Sequence, residues 1–302
     1  SIEARVLLWL ADDPFALAKY KMGINLYVDM ARFIYQNDKI EKKSHPQEYA
    51  VGKAAVLGCG YGMGKDKFYG TCQSWGIDIP VATAEAAVKA YRTKYKKVVD
   101  LWYSVEKAAR SAVRSPGSSY ICCTWADPKT GKDKGFRVVW TVDAERRFLV
   151  CQLPSGRRLR YYRPSLKTIN TPFGEKEEIH YWAAGLGGKL EECKTYGGSL
   201  VENVVQGTAR DIMANGMINA EAAGFPVVLT VHDELVTEIP EFPNSCHHEL
   251  ELGARVGGEY GYLEIKDLTP VDCLIRAMCA LPDWAEGCPI EAEGWTGKRY
   301  RK

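Results

Sequence analysis

Between Phe225 and Ile239 the chain reads Phe-Pro-Val-Val-Leu-Thr-Val, then His-Asp-Glu, then Leu-Val-Thr-Glu-Ile. Nothing else in it constrains the fold as tightly. Both flanks are β-branched and apolar enough to be core strands, so the run predicts a buried hairpin. A plain two-residue hairpin prefers Asn-Gly or Asp-Gly at its tip. His232-Asp233-Glu234 suits a turn poorly and a divalent cation well, because an apolar hairpin would hold its carboxylates rigidly. An ordinary solvated turn is the alternative this segment leaves open.

A chain of 302 residues, 46% hydrophobic and 26% charged, has the make-up of a soluble globular protein with one large domain or two. Its net charge of +2 is too small to announce a polyanionic partner, so nucleic-acid binding would rest on local patches. The basic clusters are Arg92–Lys97, Arg157–Arg163 and Lys298–Lys302. The first reads equally well as the wet face of a helix, and the second, with tyrosines among its arginines, as an exposed strand. Ten cysteines without a CxxC pair read as reduced thiols of a cytoplasmic protein. Cys246-His247-His248 has metal-binding side chains, but its context, PEFPNSCHHEL, is that of a loop and it is not read as a metal site. No apolar run reaches membrane-spanning length and no signal peptide is visible.

Apolar spacing predicts helix over about 4–40, broken near Asp12-Asp13-Pro14 and Met22-Gly23, and again over 46–63, opened by Pro46. One long helix is expected from Thr83, as its cap, to about Val113, with Val88, Tyr91, Tyr95, Val98, Val99, Trp102 and Val105 as its stripe. Short β-like runs follow from Ser118 to about Tyr162, then a helix over roughly 199–223 and the acidic hairpin.

Tyr49, Lys53, Leu57 and Tyr61 recur every fourth residue and form one stripe on the second helix. Phenol, ammonium and aliphatic side chains in that order are unlike a core face. Gly58, Gly60 and Gly62 interrupt it at about 1 kcal/mol each relative to Ala, which suggests that something approaches the backbone closely. A lysine can take a phosphate as a point charge, and an aromatic on the same face can stack on a base. A glycine-weakened helix end with a chance lysine is the plainer reading. Asn203 and Gln206 share one face of the helix before the hairpin, and their amides suit minor-groove contacts, although alone they make an ordinary polar face.

In this order the segments resemble the family A DNA polymerases, the bacterial DNA polymerase I group, in its phage-type branch and along the whole chain. Ser1-Ile-Glu-Ala-Arg5 is similar to the end of motif A, Lys53 through Tyr61-Gly62 to motif B, and Val231-His-Asp-Glu234 to motif C. Further matches are Leu153-Pro-Ser-Gly-Arg157, Tyr196-Gly-Gly198 with Glu202 to Gln206, and the closing Pro282 to Tyr300. The resemblance implies an α+β right-hand fold: an antiparallel palm from 1–24 and 176–302, and mostly helical fingers from 25–175 with a β-rich insertion near 115–165. The resemblance places the thumb before motif A, so it is expected outside this sequence. It further implies that the opening decapeptide supplies a strand beside the 231–235 bend.

The same resemblance assigns roles. Asp233 would bind catalytic Mg²⁺ with Glu234 beside it, and His232 would approach the primer terminus. Lys53 would contact the triphosphate of a dNTP, with Glu3, Leu57, Tyr61 and Gly62 around the nucleotide and Glu3 as the block to a ribose 2′-hydroxyl. Arg5, Asn203, Gln206, Arg157 and Arg158 would touch primer-template DNA. Tyr49 stands where the family has an arginine and Leu57 where it has an aromatic residue. The metal-binding Asp of motif A would stand before Ser1. Two-metal chemistry needs carboxylates from both sides of a site. The expectation is therefore the C-terminal part of a split polymerase, inactive alone. A partner would supply that Asp, the thumb and any 3′–5′ exonuclease domain, in a bacterial host's cytoplasm if the chain is phage-encoded. Ser1 would also suit an intein junction. A non-catalytic DNA-binding scaffold, a single-subunit RNA polymerase and a metal hydrolase are the alternatives.

Overall fold

The computed structural model describes residues 1–126, 133–171, 174–185, 187–240 and 269–300. Cys246-His247-His248 and the last two residues of the closing basic cluster lie outside the described residues. The chain divides into two compact units, Glu3–Thr208, and Ser1–Ile2 with Ala209–Lys302.

The larger unit opens with α1 (Ile2–Leu10), in which Ala4, Val6, Leu7, Leu8, Trp9 and Leu10 are all buried. The opening decapeptide is therefore a helix and not the expected strand. Its nearly continuous apolar run lacks the alternation of a half-buried strand, and its Leu and Ala residues favour helix. The breaks fall where the sequence places them. Asp13 caps α2 (Pro14–Lys21) by accepting from the Ala16 N–H at 3.0 Å, and Asn25 caps α3 (Leu26–Tyr35) through the Tyr27 and Val28 N–H groups. Pro46 opens α4 (Pro46–Gly58), which continues as a 3₁₀ turn over Cys59–Tyr61. Gly52 lets α4 lie against α3: a Cβ there would stand 2.3 Å from the Tyr27 carbonyl oxygen.

After α5 (Lys65–Ser74), the expected single helix is two, α6 (Val81–Lys94) and α7 (Lys96–Arg114). Thr83 lies inside α6, and Pro80 stands at the cap position. The break at Tyr95, with φ −108° and ψ 52°, leaves the buried face continuous through Val88, Tyr91, Tyr95, Val98, Trp102 and Val105. A kink that keeps its apolar face turned inward leaves no mark in the spacing.

Strands β1 (Ser119–Ala126), β2 (Asp133–Val142), β3 (Phe148–Gln152), β4 (Arg158–Thr171), β5 (Gly174–Ala184) and β6 (Leu190–Thr195) form an antiparallel meander in chain order. The sheet thus runs past the expected β-like stretch, because charges hide β5 (GEKEEIHYWAA) and β6 (LEECKT). Val138, Trp140, Val142, Leu149, Cys151 and Tyr161 are buried on its inner face, where α7 packs.

The 26-residue helix α8 (Gly197–Ala222) carries the chain into the smaller unit. There β7 (Val227–Val231) and β8 (Glu234–Thr237) form a two-stranded hairpin, followed by α9 (Pro270–Cys279) with a Thr269/Asp272 capping box. Asn215 and Asn219 of α8 donate to the Ala280 carbonyl at 2.8 and 3.0 Å and tie α9 down. The hairpin is not the buried one expected, since Val228 and Leu229 are 53% and 47% exposed. Two strands alone cannot bury both faces of a ribbon. Helices with antiparallel sheets make the chain α+β, as expected.

Candidate functional site

Lys53 stands exposed on α4, with Tyr49, Leu57 and Tyr61 half-buried beside it, while Val51, Gly52, Ala54, Ala55 and Val56 turn to the core. The stripe is therefore a surface face, as its composition implied. Lys53 has no ion-pair partner among the described residues. The glycines beside it answer to the protein's own packing. A Cβ on Gly60 would meet Leu7 Cδ2 at 2.6 Å and Tyr91 Oη at 3.3 Å, and one on Gly58 would meet Met63. Gly62 ends the turn at φ 81°, the left-handed region that favours glycine.

The turn carrying Tyr61 is pinned from several sides. Trp102 Nε1 donates to the Gly60 carbonyl at 2.7 Å, and Tyr196 Oη donates to the Tyr61 carbonyl at 3.3 Å. Gly198 packs so close that a Cβ would stand 2.2 Å from that same oxygen. The Tyr61 hydroxyl donates to Glu3 Oε2 at 3.3 Å, joining residues 58 positions apart. Burial, and then the negative charge of Glu3, hold that hydroxyl protonated far above the usual tyrosine range. On the inner side of the turn, burial pushes the Cys59 thiol up to about 12, so it is a neutral packing group. Tyr196 and Trp102 are contributors that spacing alone did not reveal; the paired glycines after Tyr196 were the visible signal of close approach.

The residues expected on DNA divide. Gln206 is exposed on α8, whereas Asn203 donates to Tyr161 Oη at 3.0 Å. Arg157 reaches back to α8, its Nη2 donating to the Gly207 carbonyl at 2.7 Å, while its neighbour Arg158 is exposed on the sheet. Arg5 stacks its guanidinium 4.5 Å from the Tyr20 ring centre.

In the smaller unit Val231 pairs with Glu234, so His232 and Asp233 form a two-residue turn. His232 takes a left-handed φ of 52°, which costs a β-carbon residue about 1–2 kcal/mol. Strain of that kind is a pointer to function and not proof of it. His232, Asp233 and Glu234 are all exposed. Tyr300 donates to Glu234 Oε2 at 2.9 Å, which leaves Asp233 as the outward carboxylate of the tip. No group of three His, Cys, Asp or Glu side chains suited to a metal ion occurs among the described residues. The tip therefore fits part of a divalent-cation shell and not a whole one.

No family model matches the chain. Along its whole length it is 33% identical, over 306 residues, to a protein of Bacillus phage SP02 described as a DNA polymerase, and it spans 40% of that protein. A solved structure described as the POL domain of Pol1 from M. smegmatis, in complex with DNA primer-template and dNTP, covers 80% of the chain and 32% of its own. Its identity is 18% and its TM-score 0.47, a likeness too distant to place residues. The resemblance carried by the motifs is borne out by the phage relative. No described helix is long and apolar enough to cross a membrane.

Proposed function

We propose that this chain, similar along its whole length to part of a phage DNA polymerase, selects the nucleotide and extends the primer in template-directed DNA synthesis of the family A type. Its whole-length likeness to part of a DNA polymerase supports the reading, and the Glu3–Tyr61 hydrogen bond is the structural observation that carries it. That bond links the segments resembling motifs A and B at the end of an exposed lysine-bearing stripe.

Lys53 meets the triphosphate of an incoming dNTP as a point charge. Tyr61 offers its ring near the templating base, and its hydroxyl is held by Glu3. The carboxylate thereby fixed beside the sugar disfavours a 2′-hydroxyl, which selects deoxynucleotides. The primer 3′-hydroxyl attacks the α-phosphorus in line, the new P–O bond forms, and pyrophosphate leaves. Asp233 would hold one edge of a Mg²⁺ site, with Glu234 beside it and His232 facing the primer end. Mg²⁺ supplies charge stabilisation to the attacking and leaving oxygens when bound. The rest of the carboxylate shell comes from outside the described residues, from a polypeptide that also grips the duplex. Gln206, Asn203 and Arg5 contribute to the DNA surface.

A second reading, a non-catalytic DNA-binding subunit, is favoured by the incomplete donor set at the tip. Primer extension with Mg²⁺ separates the two, with the chain alone and with the upstream part of a related polymerase. Extension by dNTPs in the reconstituted sample supports catalysis. No extension in any reconstitution would leave the scaffold reading standing, and preferential use of rNTPs would make the chain an RNA polymerase.

A further inference from the structure

Beyond that site, we propose that the outer face of the six-stranded sheet is a binding platform for single-stranded nucleic acid, with an unpaired DNA strand as its occupant. The face follows from the register. Phe148 stands opposite Tyr162, and Tyr162 opposite Trp182, so the three rings form one row across β3, β4 and β5. The Phe148 and Tyr162 ring centres are 5.4 Å apart. Neighbouring strands are about 4.8 Å apart, so the row is roughly 10 Å long, enough for two or three unstacked bases. Trp182 is 37% exposed at one end.

Cations frame the row. The next rung on the same face pairs Val150 with Arg160, and the one beyond pairs Gln152 with Arg158. Both arginines are exposed, and neither has an ion-pair or hydrogen-bond partner among the described residues. The register shift between Tyr162 and Ser165 puts Arg163 at a left-handed φ of 48°. Its guanidinium there lies 5.2 Å from the Tyr162 ring centre. A bulge that re-aims a side chain in this way is a built feature of a sheet.

The rest of the same face, starting with Glu192 opposite Trp182 at the row's β6 end, pairs its charges within the sheet. Lys167 pairs with Glu192 at 2.5 Å, Lys194 with Glu178 at 3.5 Å, and His180 lies 3.4 Å from Glu178. Those charges are answered within the sheet, while the arginines beside the aromatic row are not. Phosphates supply the missing charge and bases supply faces for the rings. A duplex keeps its bases stacked inside, so the chemistry favours a single strand.

Fluorescence anisotropy of a labelled sixteen-nucleotide oligo-dT with the full chain tests this. It needs no nucleotide, metal or partner polypeptide, so it stands or falls apart from the polymerase reading. Tyr162→Ala and Trp182→Ala should each weaken binding by about tenfold. Arg158→Ala with Arg160→Ala, both exposed and safe for folding, should flatten the logarithmic salt dependence by roughly 0.7 per cation removed. Lys167→Ala removes a cation already answered by Glu192, the residue opposite Trp182, and should weaken binding less than the arginine pair does. A matched oligo-rU arm assigns the source: equal or weaker RNA binding supports DNA, and tighter RNA binding overturns that assignment. The proposal fails if the wild-type chain does not bind, if duplex competes equally, or if Lys167→Ala weakens binding as much as the arginine pair.

Discussion

The turn that carries Tyr61 and the turn that carries Asp233 are both short, and they are built in opposite ways. Around the first, main-chain oxygens are occupied by Trp102, Tyr196 and Arg92, and Leu7 fills the space a side chain on Gly60 would need. The second is an exposed ribbon tip with a left-handed histidine, where Tyr300 holds Glu234 and leaves the outward Asp233 unsupported by it. A group that discriminates between nucleotides must be rigid before substrate arrives. A carboxylate that shares a cation with groups from elsewhere has no complete shell of its own to hold it. On the proposed function, the contrast separates a site finished within its unit from one that would share its cation with groups outside the described residues.

Asp233→Asn gives the contrast its largest expected effect. In the reconstituted polymerase, primer extension should fall on the order of 10³-fold. The melting transition should stay put, because surface substitutions usually fall within about ±0.5 kcal/mol. An active Asp233→Asn enzyme would remove the hairpin from the chemistry. Gly198→Ala probes the pinned turn and should show the reverse pattern. Its Cβ would meet the Tyr61 carbonyl oxygen at 2.2 Å and the carbonyl carbon at 2.6 Å, both backbone atoms that cannot swing aside. We expect about 2–3 kcal/mol of lost stability by urea denaturation, with a raised KM for dNTP as Tyr61 shifts.

Acid sharpens the comparison next. Burial alone would raise the carboxyl of Asp29 on α3, but Lys19 at 2.6 Å and Lys94 at 2.9 Å hold it below its ordinary value of 3.8. Burial also lowers the Lys94 ammonium against the pull of Asp29, so the pair is best read on the acid side. A folded carboxyl below its unfolded value means that the unfolded chain binds more protons in acid. The contribution is full above pH 3.8 and is lost as the pH falls through the folded value. Asp29→Ala should cost about 2 kcal/mol at neutral pH. It should also flatten the acid limb of a stability–pH curve, which an unchanged limb would contradict.

What could be read in advance follows the same division. Breaks are local, so Asp12-Asp13-Pro14, Met22-Gly23 and Pro46 announced the limits of the first helices, and the four-residue stripe announced a surface face around Lys53. Properties set by distant contacts were illegible. The break at Tyr95 hides inside one continuous apolar face. Strands β5 and β6 hide under charges that pair only across the sheet, such as Lys167 with Glu192. Arg157 and Arg158 look alike in sequence, yet one spends its guanidinium on the Gly207 carbonyl and the other faces outward. The glycines near Tyr61 were rightly read as sites of close approach, but Leu7, Tyr91 and Met63 are what approaches. The hairpin's strand character was visible, and its exposure was not, because burial depends on what lies over a strand.

The smallest expected effect lies at the hairpin tip. His232 holds φ at 52°, where a β-carbon costs about 1–2 kcal/mol and glycine costs nothing sterically. Glycine also loses more chain entropy on folding, by roughly 0.5–1 kcal/mol. His232→Gly should therefore raise stability by only a few tenths of a kcal/mol, up to about 1. Were the tip an ordinary solvated turn, relief of strain would be the only consequence. If His232 faces the primer end, the same variant should lose reconstituted extension activity while melting no lower than the parent chain. Stability up and activity down, measured together on one variant, would mark the strain as a cost retained for chemistry. A variant that melts lower would show instead that the imidazole supports the turn, and the Asp233 tip would then be held more firmly than its exposure suggests.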